Sequence, residues 1–278
     1  PPLPEQRKIA QILETVDKAI EKTEKIIEKY KRIKQGLMQD LLTKGIDEKG
    51  NIRSEKTHKF KDSPLGRIPE EWEVVRLGEI GEIIDGDWIL EKYYTESGVR
   101  LIQVGDIGIG KLLNKSNHYI SEKSARHLKV KFLKEGQILI SRLPDPIGRS
   151  CLVPKLPYPA ITAVDVSILT VYEDISEKTF IVQILNTDLF FGQCSNLASG
   201  TTRSRISRSN LKNLLIPLPP LSEQKRIAEI LSQIDQAIEK EEKYKEKLER
   251  LKKGLMEDLL TGKVRVNKLV EEENHELA

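Results

Sequence analysis

The sequence predicts an α+β protein in which one mixed α/β module is carried between two long helices that pair as an antiparallel coiled coil. Two observations predict this. Residues 1–43 return without a gap as residues 219–261, with roughly three positions in five identical, the mark of an internal duplication. Between the copies, helical periodicity gives way to short apolar runs broken by Gly, Pro and Asp, the pattern of strands and turns. The boundaries that result are a first helix copy at 1–45, a linker at 46–63, the mixed module at 64–218, a second helix copy at 219–262 and a tail at 263–278.

In the first copy Ile9, Leu13, Val16, Ile20, Thr23, Ile27, Tyr30, Lys34, Leu37 and Leu41 alternate steps of four and three. That is the period of a left-handed coiled coil. The second copy repeats it with Ile227, Leu231, Ile234, Ile238, Leu248, Leu255 and Leu259. Glu241, Lys245 and Lys252 interrupt the stripe, and Tyr244 and Leu251 are read as carrying it one position over. Prolines precede each helix and Gly45 and Gly262 follow, where helices tend to start and stop. Two such stripes in one chain can bury each other. A solvated spacer or a generic dimerisation coil is the alternative reading of periodicity alone. Gly36 and Gly254 weigh against it, because an interior helical glycine costs about 1 kcal/mol. Its retention implies close backbone approach by the other helix or by another protein.

Within the module, strands are expected at residues 74–77, 81–84, 100–104, 137–141, 150–153, 166–171 and 214–218. Helices are expected at 121–128 and 176–188. Strand order is not legible from these runs.

Composition bounds the function. Charged residues make up 32% of 278, yet the net charge is only +3, so any nucleic-acid footprint must be local. Cys151 and Cys194 are far apart and form no CxxC, which argues for a reducing cytoplasm rather than a disulfide framework. No apolar run reaches the roughly 18 residues of a membrane span, and no signal peptide opens the chain. The chain begins at Pro1 inside a PPLPEQ motif, as a fragment of a longer protein would.

One window is chemically distinct. No Asp or Glu occurs from Leu189 to Ser222. Inside it Arg203, Arg205, Arg208 and Lys212 alternate with Thr201, Thr202, Ser204 and Ser207. Guanidinium and ammonium groups neutralise phosphates, and hydroxyls add phosphate and sugar contacts. A thinner basic stretch holds Arg142 and Arg149 on a proline-rich loop read as exposed. Trp88 stands in a turn-like segment, where it could stack on a base or sugar or be a half-buried aromatic. Ordinary solvated loops are the alternative for both basic stretches.

Other motifs fail. Gly105–Lys111 has the GxxxxGK spacing, but Leu112 stands where Ser or Thr must hold magnesium. His58, His118, His127 and His275 show no metal-ligand spacing. No glycine-rich strand-to-helix turn suggests a methyl-donor site. The reading is of a chain that catalyses nothing.

Three features resemble the specificity subunits of type I restriction-modification systems. They are the doubled PPLxEQ…GLMxDLLT helix, the SPLGRIPEEWEVVRLGEI segment that opens the module, and SGTTRSRISRSNLKNLLIPLPPLSEQ, which closes it. The resemblance implies a non-catalytic, cytoplasmic reader of double-stranded DNA in a host-defence system. In that family two target recognition domains each read half of a split site, and two conserved helices set the gap between them. Modification subunits using S-adenosylmethionine and restriction endonuclease subunits using ATP and magnesium join the assembly; the chain itself would carry no cofactor. This sequence departs from the pattern in having both helices but one recognition domain, in the order of the family's second half. A half-subunit that homodimerises onto a palindromic split site is one alternative, and an assembly or regulatory coiled-coil protein that reads no DNA is another.

Overall fold

The computed structural model describes residues 1–113, 115–200 and 204–269. The chain divides into two compact units, Pro1–Met38 with the residues from Ile230 on, and Gln39–Glu229. In chain order the elements are α1 (Leu3–Leu41), β1 (Phe60–Ser63), β2 (Gly66–Pro69), β3 (Glu73–Arg76), β4 (Gly81–Asp85), β5 (Tyr94–Thr95), β6 (Val99–Ile102), β7 (His118–Ile120), α2 (Glu122–Leu128), β8 (Ile138–Ser141), β9 (Ser150–Leu152), β10 (Ala160–Thr162), β11 (Val166–Val171), α3 (Lys178–Leu185), α4 (Asp188–Asn196), α5 (Arg208–Asn213), β12 (Leu215–Leu218) and α6 (Leu221–Leu260).

In the first unit α1 and α6 run antiparallel. Their cross-helix ion pairs prove the direction, because one partner climbs in number as the other falls: Asp17–Lys252 at 2.5 Å, Glu24–Lys245 at 2.7 Å, Lys31–Glu242 at 2.9 Å and Lys34–Asp235 at 2.7 Å. Ile9, Val16, Thr23 and Ile27 are buried from one helix, Ile238, Leu248 and Leu259 from the other. One expectation is corrected. Tyr244 and Leu251 do not carry the stripe; both are half exposed. Lys245 and Lys252 keep the seam positions, where their long stems cover apolar surface and their ammonium groups reach carboxylates on α1.

The second unit holds the mixed module. Two four-stranded sheets have the orders β4-β11-β8-β9 and β10-β6-β7-β5, and two-stranded pairs join β1 to β2 and β3 to β12. The first sheet is antiparallel throughout; in the second only β10 and β6 are parallel. β11 reads VSILTV, rich in the branched residues that suit a pleated, buried strand. Ile102, Leu139, Cys151, Ala160, Val166 and Ile168 form a core shared by the two sheets. Val99, Leu101, Ile120, Ala125 and Ile161 form a second cluster beside α2. Neighbouring β6 residues thus serve opposite faces, as strand geometry requires. Burial pushes the thiols of Cys151 and Cys194 up to about 12.

Two further expectations differ from the structure. The single helix expected at 176–188 is broken into α3 and α4. Asn186 ends α3 because its buried amide bonds Ser150 and the Val182 carbonyl, and Thr187 caps α4 through the Phe190 N–H. The segment 46–63 is structured rather than a linker. Ile46 and Arg53 are buried and β1 pairs with β2. Arg53 makes two hydrogen bonds to Glu223, at 2.5 and 3.0 Å, and the Ile46 N–H and Trp72 Nε1 donate to the same carboxylate. Burial opposes the charge on Arg53, but the Glu223 hydrogen bonds and charge outweigh it and raise its pKa. Gly45, at φ +64°, closes the hub. A Cβ there would overlap Glu223, Trp72 and Arg53, so only glycine fits.

Candidate nucleic-acid interface

The two basic stretches meet. The Ile206 N–H donates to the Arg142 carbonyl, and both guanidinium groups, Arg142 and Arg205, donate to the Val164 carbonyl, at 2.5 and 3.3 Å. Two carboxylates, absent from either stretch, complete the cluster. Asp85, at the end of β4, lies 3.3 Å from Arg142 Nη1 and 3.6 Å from Arg208 Nη1. Asp165, in the turn before β11, lies 3.1 Å from Arg205 Nε. Three arginines therefore face two aspartates. Burial pushes the pKa of Arg142 down, Asp85 opposes that, and nearby Arg205 depresses it further.

The arginines divide by exposure. Arg205 and Arg208 have side chains 38% and 47% exposed, whereas Arg142 is 4% exposed. Arg142 and Arg149 are corrections to the expectation of an exposed basic loop. The loop is exposed only around Pro144 and Asp145. Arg149 turns inward, where Nε donates to the Ile107 carbonyl, Nη2 to Val104, and Nη1 to Leu143 and Pro146. Its planar fork ties the 104–107 turn to the 143–146 loop. A buried main-chain carbonyl without a donor is costly, so this arginine organises the surface and does not face solvent. Burial depresses its pKa.

Trp88 is 70% exposed. Its neighbour Asp87 bridges Ala163 in a parallel pair and takes two bonds from Lys131, from the main-chain N–H at 2.8 Å and from Nζ at 2.6 Å. The segment bearing Trp88 is thus fixed at both Asp85 and Asp87, beside the arginine cluster. Ser207 caps α5 by accepting the Asn210 N–H, and Ser204 Oγ bonds Gly200. Lys212 is exposed on α5. Thr201, Thr202 and Arg203 lie outside the described residues. Gly105–Lys111 is a short turn with an Ile107–Leu112 bridge. Sequence reasoning missed Asp85, Asp87 and Asp165, since no local pattern marks an acid that meets its arginine only across the fold.

No helix among the described residues is long and apolar enough to cross a membrane. Residues 69–250 match the profile of the type I restriction modification DNA specificity domain. The chain is 36% identical over 273 residues to the type I restriction enzyme MjaVIII specificity subunit of Methanocaldococcus jannaschii, covering 97% of this chain and 62% of that protein. It is 34% identical over 271 residues to the putative MjaX specificity subunit of the same organism, covering 96% and 59%. The fold resembles the HsdS subunit of Thermoanaerobacter tengcongensis, with TM-score 0.56 and 23% identity over 95% of this chain and 60% of that one. It also resembles the type I S subunit of M. genitalium, with TM-score 0.59 and 17% identity over 92% and 60%. The chain spans about three fifths of the length of these relatives. With the specificity-domain profile running through nearly all of the module and on into the second helix, this chain belongs to the type I restriction modification DNA specificity family.

Proposed function

We propose that this chain is a DNA-reading part of a type I specificity subunit, without catalytic activity of its own, working in the cytoplasm. Its recognition module binds one half of a split duplex site. The observation that carries this reading is the coincidence of the matched DNA specificity domain with the exposed set Trp88, Arg205, Arg208 and Lys212. Arg205, Arg208 and Lys212 supply charge for phosphates or bidentate donors for guanine. Trp88 offers a flat apolar surface to a sugar or base. Salt-dependent binding to duplex DNA tests it. Arg208→Ala and Lys212→Ala weaken binding, and removing a cation that neutralises one phosphate lowers the log–log salt slope by about 0.9. Duplex affinity untouched by both substitutions would remove the assignment. Methylome sequencing of cells with and without the gene identifies the site that is read.

The coiled coil is the surface for modification and restriction subunits in this reading. Gly36 and Gly254 support it. Neither has anything within 4 Å of where a Cβ would stand, so the close approach that a helical glycine permits is not made by the other helix. Each is flanked by exposed apolar residues at equivalent points, Ile33 and Leu251. Co-purification of a modification subunit, abolished by Gly36→Leu or Gly254→Leu, tests this surface.

A further inference from the structure

Taking the face around Arg205 to contact duplex DNA, as proposed above, we infer that Asp165 restrains sequence-independent DNA binding by holding Arg205 when DNA is absent. The acid-free window from Leu189 to Ser222 presents Arg205 as a free cation, but the fold brings a carboxylate to it from the turn before β11. Asp165 Oδ1 lies 3.1 Å from Arg205 Nε, so the guanidinium already has a counter-charge. An arginine already neutralised displaces fewer counterions from the phosphate backbone and contributes less to non-specific affinity.

The geometry makes the pair separable. Arg205 Nε is buried and makes no hydrogen bond, so the contact with Asp165 is Coulombic and not directed. The side chains are 38% and 27% exposed, open to an approaching phosphate. The Val164 carbonyl anchors the other side of the guanidinium at 3.3 Å and keeps it in place when the carboxylate is released. Asp85 differs in kind. It is shared between Arg208 and Arg142, and Arg142 is 4% exposed, so Asp85 compensates a buried charge and cannot be released without cost to the fold. Asp165 makes no ion pair with Arg142; its charge acts on that buried guanidinium from farther off and less strongly than that of Asp85. It is therefore the acid of the cluster whose ion-paired partner, Arg205, is exposed, and the one better placed to act on binding.

The test uses the full chain, a labelled random-sequence duplex and a potassium chloride series read by fluorescence anisotropy. Asp165→Asn keeps the side chain's size and removes its charge. Its expected effect is roughly three- to ten-fold tighter binding and a log–log salt slope steeper by about 0.9. Adding Arg205→Ala to Asp165→Asn abolishes that gain, since the restraint acts through one side chain. A folded Asp165→Asn protein that binds duplex no better than the unmodified chain overturns the inference. So does a gain that survives Arg205→Ala, which would show general repulsion. If the unmodified chain and every variant fail to bind duplex, the DNA-contact reading of this face falls as well. If the unmodified chain binds and Asp165→Asn adds nothing, the restraint alone falls.

Discussion

Glu5 and Glu223 hold the same position in the two helix copies, and each carboxylate is gripped by one arginine and one main-chain N–H from beyond the end of the other copy. Arg265 makes two 2.7 Å bonds to Glu5, and the Val266 N–H donates at 3.3 Å. Arg53 and the Ile46 N–H do the same for Glu223. The two helix starts are thus clasped in the same manner, although Arg53 and Arg265 do not stand at matching positions beyond the repeat. The copies differ in depth. Arg53 is 9% exposed and Arg265 57%, and only the Glu223 clasp has a tryptophan donor.

That difference sets unequal costs. Glu223→Ala leaves Arg53 charged and buried, and is expected to destabilise the fold by about 3–5 kcal/mol. Glu5→Ala frees an arginine that water already reaches, so its effect is smaller. The Arg265 hydrogen bond holds the Glu5 carboxyl below its usual 4.5. Its contribution is therefore complete above that value and declines as pH falls through the lower folded-state value. Urea unfolding of both variants at neutral and acid pH measures the contrast.

Asp17 and Lys252 pair across the helices, and their equivalents Asp235 and Lys34 pair in the same way. Lys252→Asp sets two carboxylates together and lowers the melting temperature. Lys252→Asp with Asp17→Lys restores it, to within the roughly 1 kcal/mol that exposed pairs contribute. A double variant no more stable than Lys252→Asp alone would refute the antiparallel register.

Arg149→Ala strips donors from four carbonyls, and a destabilisation of at least about 2 kcal/mol is expected. Arg149→Lys recovers only part, because an ammonium group cannot reproduce the flat fork. Chemical denaturation of both variants distinguishes an organising arginine from a solvent-facing one, for which the two changes would be nearly neutral.

Gly36→Ala and Gly254→Ala meet open space. Each is expected to raise the stability of the isolated chain by up to about 1 kcal/mol, read from the urea midpoint. A destabilised alanine variant would mean that the glycine serves the fold itself.

The chain has two tryptophans. Trp72 is fully buried and Trp88 is 70% exposed. Duplex DNA bound at the proposed face changes the emission of Trp88, and Trp88→Phe removes that change. A signal that persists in Trp88→Phe would place the contact elsewhere.

Much of this molecule is legible along the chain. Every position of the first helix stripe, from Ile9 to Leu41, is buried or half-buried, and β11 occupies the residues expected of it. Local periodicity is enough there, because a helix or strand that buries one face must repeat its apolar residues at its own pitch. The paired helices and the intervening mixed module were therefore determined by sequence. Only the tertiary structure decided which arginines face water. Arg142, Arg149, Arg205 and Arg208 look alike in sequence, and their surroundings are set by Asp85, Asp165 and main-chain carbonyls from other segments. Charge acts through space with a strength set by burial, and neither the distance to a counter-charge nor the depth of a side chain is written in the order of the residues.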